Sequence, residues 1–340
     1  MTADSRSQSI SWYRSPVDRD VLQGLHRRSD FKGLLQAGGH LALITLTGAV
    51  AWYFQDRPLL LITALFVHGT FYVFLLNATH ELCHGTVFKS HFLNRFFLRF
   101  FSFLCWRDHV GFWASHAEHH KHTLHPPEDM EVVLPLKLTL RNFLTVAVID
   151  LWFFWNTIKQ VCAHSRGKVK GEWENHLFPT EALEKRRRLT NAARFMLTGH
   201  LCIIAVGVYL EIWILPVLVT FGAFYGQWLR FLCNQLQHIG LVDEVADFRL
   251  CCRTVILSPF VRFLYWHMNY HTDHHMYPSV PCYNLGKLHR QSRHDLPSFP
   301  RGLIAAWREI IDILKRQKLD PSYQFVPRLP IPTSKPDLST

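Results

Sequence analysis

Two stretches near the N-terminus, residues 34–54 and 58–79, run without a formal charge and are separated only by a Gln55-Asp56-Arg57 turn. A helix needs about 20 apolar residues to cross a bilayer, so each run predicts a membrane span. The short connection makes the pair an antiparallel hairpin with both ends on one side. A second pair, residues 191–210 and 212–229, turns near Glu211 to Pro216 and predicts a second hairpin. Between the hairpins, residues 91–106 mix aromatic and aliphatic side chains with Arg95 and Arg99, as in a helix lying in the interface plane. Residues 142–158 are apolar but interrupted by Asp150, which predicts an interfacial or partly buried helix. The expected architecture is all-α: a polytopic membrane protein with four transmembrane helices in two hairpins and a cytoplasmic helical cap. Its expected parts are a cytoplasmic N-terminal segment (1–33), a membrane domain (34–283) and a cytoplasmic C-terminal tail (284–340).

Composition agrees with a membrane protein that keeps much of its chain in water. It is 49% hydrophobic and only 19% charged, against about 25% charged in soluble domains, while its mean hydropathy is just +0.03. The net charge of +11 suits nucleic acid or an anionic membrane surface. No nucleic-acid signature is present and the basic residues flank apolar runs, which selects the membrane. Of 37 Lys and Arg residues, the two outer turns hold only Arg57. The positive-inside rule then places the other side, with both termini, in the cytoplasm; Lys185-Arg186-Arg187-Arg188 anchors the third span there. The eight cysteines contain no CxxC pair and read as free thiols. The polar start of the chain shows no cleavable secretory signal.

The candidate chemistry is in the histidines. His80 and His84 are spaced i, i+4; His116, His119 and His120, and again His271, His274 and His275, are spaced i, i+3, i+4, which on a helix gathers them on one face. His238 follows the fourth run. Each cluster lies near a predicted membrane exit, so the hairpins would bring the clusters together in the cap as nine imidazoles. One zinc ion takes about four ligands; two metals that keep open positions fit nine donors better. Imidazole alone does not choose among zinc, copper, iron and nickel.

His80-Glu-Leu-Cys-His84, His116-Ala-Glu-His-His120 and His271-Thr-Asp-His-His275 resemble, in order and spacing, the three histidine boxes of the integral-membrane fatty acid desaturase and hydroxylase superfamily. Asn234-Gln-Leu-Gln-His238 is similar to the additional Asn-x-x-x-His element of acyl-CoA desaturases. The resemblance runs from about Leu34 to Tyr283. It implies two non-haem iron ions, dioxygen as co-substrate, and hydrogen abstraction from an unactivated C–H bond, giving an alkene or, by hydroxyl rebound, an alcohol. It also implies His80, His84, His116, His119, His120, His238, His271, His274 and His275 as iron ligands, with Asn234 reaching the metal through water. Glu81, Glu118 and Asp273 are expected to accept the second N–H of ligand histidines and fix their tautomers. The expected substrate is a fatty-acyl or lipid-linked chain; a small amino-acid-derived metabolite, as in rhizobitoxine-type desaturation, is the alternative.

Two other classes compete. His80-Glu-Leu-Cys-His84 fits the His-Glu-x-x-His zinc-protease motif with Glu81 as general base, but that leaves seven spaced histidines unexplained. A metal transporter would place ionisable groups at mid-membrane depth; the spans hold only His40, His68 and His200, without carboxylates, which reads as helix–helix hydrogen bonding. His267, four residues before His271, reads as an outer or packing residue, and His109, His164, His176, His289 and His294 as surface residues. The chain carries no dinucleotide fingerprint, iron–sulfur cysteine cluster or fused cytochrome b5 motif, so a separate electron donor, a ferredoxin or cytochrome b5, is expected on the basic cytoplasmic face.

Overall fold

Ser29 accepts a hydrogen bond from the Lys32 amide and starts a helix, Asp30–Tyr53, that ends where Gln55, Asp56 and Arg57 interrupt the apolar run. Pro58, whose missing N–H costs nothing in a first turn, opens the next helix, Pro58–Tyr72, which continues through a short irregular step into Leu75–Cys83. These two rods form the expected first hairpin. The computed structural model describes residues 10–136 and 138–331, and among them the chain is helical with only isolated β-bridges. The outermost parts of the expected terminal segments, residues 1–9 and 332–340, lie outside the described residues.

Among the described residues, three helices are long and apolar enough to cross a membrane: Asp30–Tyr53, Pro58–Cys83 and Leu183–Tyr209. The expected fourth span, 212–229, is not a continuous helix. It breaks into Ile214–Val219, a 3-10 turn at Gly222–Phe224, and Trp228–Asn234. The last of these breaks lies at Gly226, whose φ of +70° disfavours any side chain, and where a Cβ would meet the Thr70 amide nitrogen at 2.5 Å. Broken backbone in an apolar setting must find other partners, and here side chains supply them. Tyr225 Oη donates to Val217 O at 3.1 Å, His68 Nε2 to Leu218 O at 3.1 Å, Tyr72 Oη to Val219 O at 2.7 Å and Trp106 Nε1 to Thr220 O at 2.7 Å.

The histidines within the spans are tied the same way. Besides its bond to Leu218, His68 contacts Thr47 Oγ1 at 3.0 Å; His40 Nε2 donates to Phe71 O at 3.0 Å and its Nδ1 accepts from Trp266; His200 Nε2 donates to Phe103 O at 2.9 Å. The intervening region has shorter pieces: His91–Leu104, with Asn94, Phe97 and Phe101 turned inward, and Leu140–Ala147 and Leu151–Ser165, too short for spans. The boundary expected at 283 falls inside a helix, Cys282–Ser292, whose Leu285 and Leu288 are fully buried in the main core, so the chain beyond 283 is not merely a tail. At the other end, Trp12 stacks on Phe248 with ring centroids 4.1 Å apart, and Ser15 is buried against Met276 and Tyr277.

Candidate metal centre

Four short elements bring the imidazoles together. His80 lies in the last turn of Leu75–Cys83 and His84 is its C-cap. The second box lies on His109–His122, whose free amides are capped by Asp108, accepting from Val110 N at 3.0 Å and Gly111 N at 3.2 Å. His238 follows Trp228–Asn234, and the third box occupies the helix His271–Met276.

The nine imidazoles form two groups, His80, His84, His116, His120 and His274 in one, and His119, His238, His271 and His275 in the other; within each, one ring nitrogen per residue lies within 4.8 Å of all the others. The two triple boxes do not each serve one group. Their i, i+4 pairs stay together, while the i+3 histidine, His119 or His274, crosses to the other group. A helix advances about 100° per residue, so i and i+4 nearly align while i+3 diverges enough to reach the neighbouring site. The groups adjoin: the rings of His120 and His275 stack with centroids 4.3 Å apart.

The donor set fits metal ions. Nε2 of His271 lies 2.8 Å from Nε2 of His238 and 3.1 Å from that of His275, and Nε2 of His120 lies 3.0 Å from that of His116. Nitrogens about 2.1 Å from one ion and at right angles lie about 3 Å apart. His84 Nε2 and His274 Nε2 are buried without a hydrogen-bond partner, a costly arrangement unless something coordinates them. Burial, reinforced by neighbouring imidazoles, holds His116, His120, His271, His274 and His275 well below the ordinary histidine pKa. Burial brings His84 to about 4 and, with the nearby His119, His238 to about 3. Neutral imidazole is the form that binds metal.

Outer partners orient the rings. His116 Nδ1 donates to Glu131 Oε1 at 2.9 Å, His119 Nδ1 to Asp129 Oδ2 at 2.8 Å, His238 Nδ1 to Cys251 O at 2.8 Å and His275 Nδ1 to Thr123 Oγ1 at 3.2 Å. Burial works to lower His119, but the Asp129 bond outweighs it and the net shift is upward.

The box carboxylates fall differently from expectation. Glu81 does contact two box histidines, His80 Nδ1 at 3.3 Å and His274 Nδ1 at 3.6 Å. Asp273 instead accepts from His289 Nδ1 at 2.8 Å and from Ser292 Oγ. Glu118 pairs with Lys121 at 2.7 Å on the outer face of the helix. Asp129 and Glu131, absent from the sequence reading, take the role: the chain turns back at Pro126-Pro127 and returns both acids to the box. The only sequence signal is a turn followed closely by acids. His267 belongs to neither group; it sits in left-handed backbone, φ 60°, before the third-box helix begins. Two expected surface histidines are buried, His289 at 5% and His164 at 4% exposure. Burial opposes the charge on His164, but its hydrogen bonding to the Asp108 and Glu174 carboxylates raises its pKa to about 9.

A cavity of about 440 Å³ opens beside the histidines, lined by His80, His116, His119 and His271 and by Asn234. Both groups therefore face one space. Glu81, 1% exposed, does not line it, so it sits behind the imidazoles and away from any water a protease would activate.

A sequence model of the family described as "Fatty acid desaturase" matches residues 57–307. The chain belongs to the fatty acid desaturase family. The matched region contains all nine clustered histidines, Asn234 and the outer carboxylates Asp129 and Glu131. Membership makes this an oxidoreductase family protein whose apolar helices fit membrane association. No curated protein matches the chain.

Proposed function

We propose that this desaturase-family protein is a multi-pass membrane enzyme that oxidises a C–H bond of a substrate held in the histidine-lined cavity, using two iron ions and dioxygen. The observation that carries this is the division of nine buried imidazoles into adjoining groups of five and four, both reaching one cavity. The nine histidines would hold the irons, with Asn234 completing the four-histidine group through a water. Bound iron would supply the reductive activation of dioxygen and the abstraction of hydrogen from an unactivated carbon.

The protein's own residues do the rest. Asp129, Glu131, the Cys251 carbonyl and Thr123 hold the Nδ1 protons of four ligand rings, leaving Nε2 free to coordinate. Phe112 and Phe153 on the cavity wall help to keep bulk water from the reacting carbon. Desaturation is the preferred outcome, with hydroxylation the other outcome of the same chemistry. Electrons would come from a ferredoxin or cytochrome b5 docking on the basic, cytoplasmic side, where the centre and both termini would lie.

A fatty-acyl or lipid-linked chain is the substrate suggested by the family. A small metabolite is the second reading, favoured by the polar wall of the cavity, which includes Arg107, Arg230, Gln237 and His164. Purified protein should carry two irons per chain and consume dioxygen when supplied with reduced ferredoxin. Alanine at His84, His120, His274 or His238 should abolish turnover and lower bound iron; one zinc per chain with oxygen-independent activity would sink the proposal.

A further inference from the structure

Two arginines in the cavity form no ion pair with a carboxylate among the described residues. Arg107 immediately precedes the Asp108 cap of the second-box helix, and Arg230 lies on Trp228–Asn234, one turn before Asn234. Both line the cavity that the histidines share. Arg230 Nε donates to Asn77 Oδ1 at 3.2 Å. The Arg107 guanidinium lies over the Phe112 ring, 4.6 Å from its centroid, with Nε buried and unpartnered.

Two other arginines are neutralised, Arg249 by Asp247 and Asp295 and Arg253 by Glu309, at 2.7–3.0 Å, whereas Arg262 is held only by the Tyr270 hydroxyl. Arg107 and Arg230 form no such pair among the described residues. None of the carboxylates lining the same cavity pairs with either guanidinium, although Asp108 Oδ2 and Glu131 Oε2 keep no hydrogen-bond partner. Asp108 and Glu174 flank His164 at 3.4 and 3.3 Å, and Glu131 takes His116 at 2.9 Å. Burial first, and the Arg107 charge next, bring the Arg230 guanidinium down to about 10. Two like charges facing one partly desolvated space are costly unless an anion completes the site. A guanidinium fork matches the paired oxygens of a carboxylate or phosphate.

We propose that Arg107 and Arg230 seat an anionic group of the substrate, a carboxylate or a phosphate, and that oxidation occurs a few bonds away from it. The position of the reacting carbon rests on the histidines being an oxidising metal centre; the anion seat does not. Asn77, which holds Arg230, lies one helical turn before His80 on the same helix, so the seat and the histidines open on neighbouring parts of one cavity.

The lipid-facing surface agrees. An apolar groove of about 730 Å³, lined by Ile62, Phe66, Val148, Leu151, Phe221 and Tyr225 among others, shares no lining residue with the cavity. Phe153 of the cavity packs against Phe224 of the groove with centroids 5.4 Å apart, so aromatic rings stand between the two spaces. The substrate that fits is a small acid or phosphate ester, or a lipid that presents its headgroup to the arginines.

Trp106 and Trp173 line the cavity, so tryptophan fluorescence of the purified full-length protein reads its occupancy. Titration would use butyrate, inorganic phosphate, the neutral analogue butyramide, and phosphatidylglycerol vesicles. Butyrate or phosphate should saturate the response, and butyramide should bind at least about tenfold more weakly. Arg107→Gln and Arg230→Gln should each weaken anion binding about tenfold or more, with Arg230→Lys recovering part of the loss. Competition of the vesicles with butyrate would identify a lipid headgroup as the source, and saturation without competition a free acid. Equal binding of butyrate and butyramide to the wild type, a test that needs no variant to fold, would overturn the proposal. So would unchanged affinity in both Gln variants, or no saturable response to any probe. Iron measured on the same samples separates the two assignments. Anion binding without iron would remove the metal centre and leave the seat, and two irons without anion binding would remove the seat and leave the centre.

Discussion

His119 donates its Nδ1 proton to Asp129 Oδ2 at 2.8 Å, and that bond directs the other ring nitrogen toward His238, His271 and His275. The same carboxylate accepts from the Leu124 amide at 2.8 Å and the Glu131 amide at 2.9 Å, so it also holds the turn that carries Glu131 to His116. Outer partners of this kind set ligand tautomer and basicity. Asp129→Asn puts an NH2 where two donors already converge. The expected result is a loss of about 10- to 100-fold in iron affinity, read by metal analysis against a graded chelator, with helicity retained. Wild-type iron retention would show that Asp129 serves only the turn.

His289 is a second, less direct support. Its Nδ1 donates to Asp273, which is fully buried and sits between His271 and His274 on the third-box helix. His289→Ala leaves that carboxylate short of a donor inside the core, a loss of about 1–3 kcal/mol. Thermal unfolding in detergent should shift down accordingly, whereas His294→Ala, at an exposed site, should leave it unchanged. An unshifted transition for His289→Ala would mean that water replaces the lost donor.

His164 predicts a pH dependence. Its folded pKa, raised to about 9, exceeds the ordinary value of 6.5, so its contribution is fully present below 6.5 and is lost as pH rises through about 9. Glu174 has the opposite sign: its pKa is lowered from 4.5 to about 2, its hydrogen bond from His164 prevailing over burial, so its contribution is present above 4.5 and lost as pH falls through about 2. Thermal stability should decline between about pH 6.5 and 9 in the wild type. His164→Gln should flatten that slope; a slope unchanged by the substitution would assign it to other groups.

Gly226 tests the broken fourth run. Alanine there would face the Thr70 amide at 2.5 Å in left-handed backbone, a combined penalty of a few kcal/mol from strain and overpacking. Gly226→Ala should reach membranes poorly and unfold at lower temperature, while Gly38→Ala, where a Cβ meets nothing within 4 Å, should behave as wild type. Equal yields of the two would mean that residues 222–226 can shift.

The sites and the fold were unequally legible in the sequence. The box histidines stand out because an i, i+4 pair on a helix is local, and the family resemblance follows from their order. The partition of the nine between two groups was not visible, because the crossing of His119 and His274 depends on how two helices face each other. Hydropathy found the first hairpin and the apolar part, from 191 on, of Leu183–Tyr209, since charge-free length is a one-dimensional property; the helix itself starts earlier and carries the Lys185–Arg188 anchor in its first turns. It misread 212–229, because an apolar run does not reveal that Tyr225, His68, Tyr72 and Trp106 take over its backbone carbonyls. His164 and His289 read as surface residues since their sequence neighbours are polar; their burial is decided by Glu174, Asp108 and Asp273, brought to them by packing.

The amino-acid order alone determined that this chain is helical, has helices long and apolar enough to cross a membrane, and carries nine imidazoles at metal-ligating spacings, since each of these follows from short-range periodicity. Only the tertiary structure decided which imidazoles lie together, that Asp129 and Glu131 rather than Asp273 and Glu118 orient them, and that Arg107 and Arg230 face the same cavity without a carboxylate ion pair. Those relationships join residues far apart in the chain, and a hydrogen bond or an unpaired charge exists only once folding has set the distance between its partners.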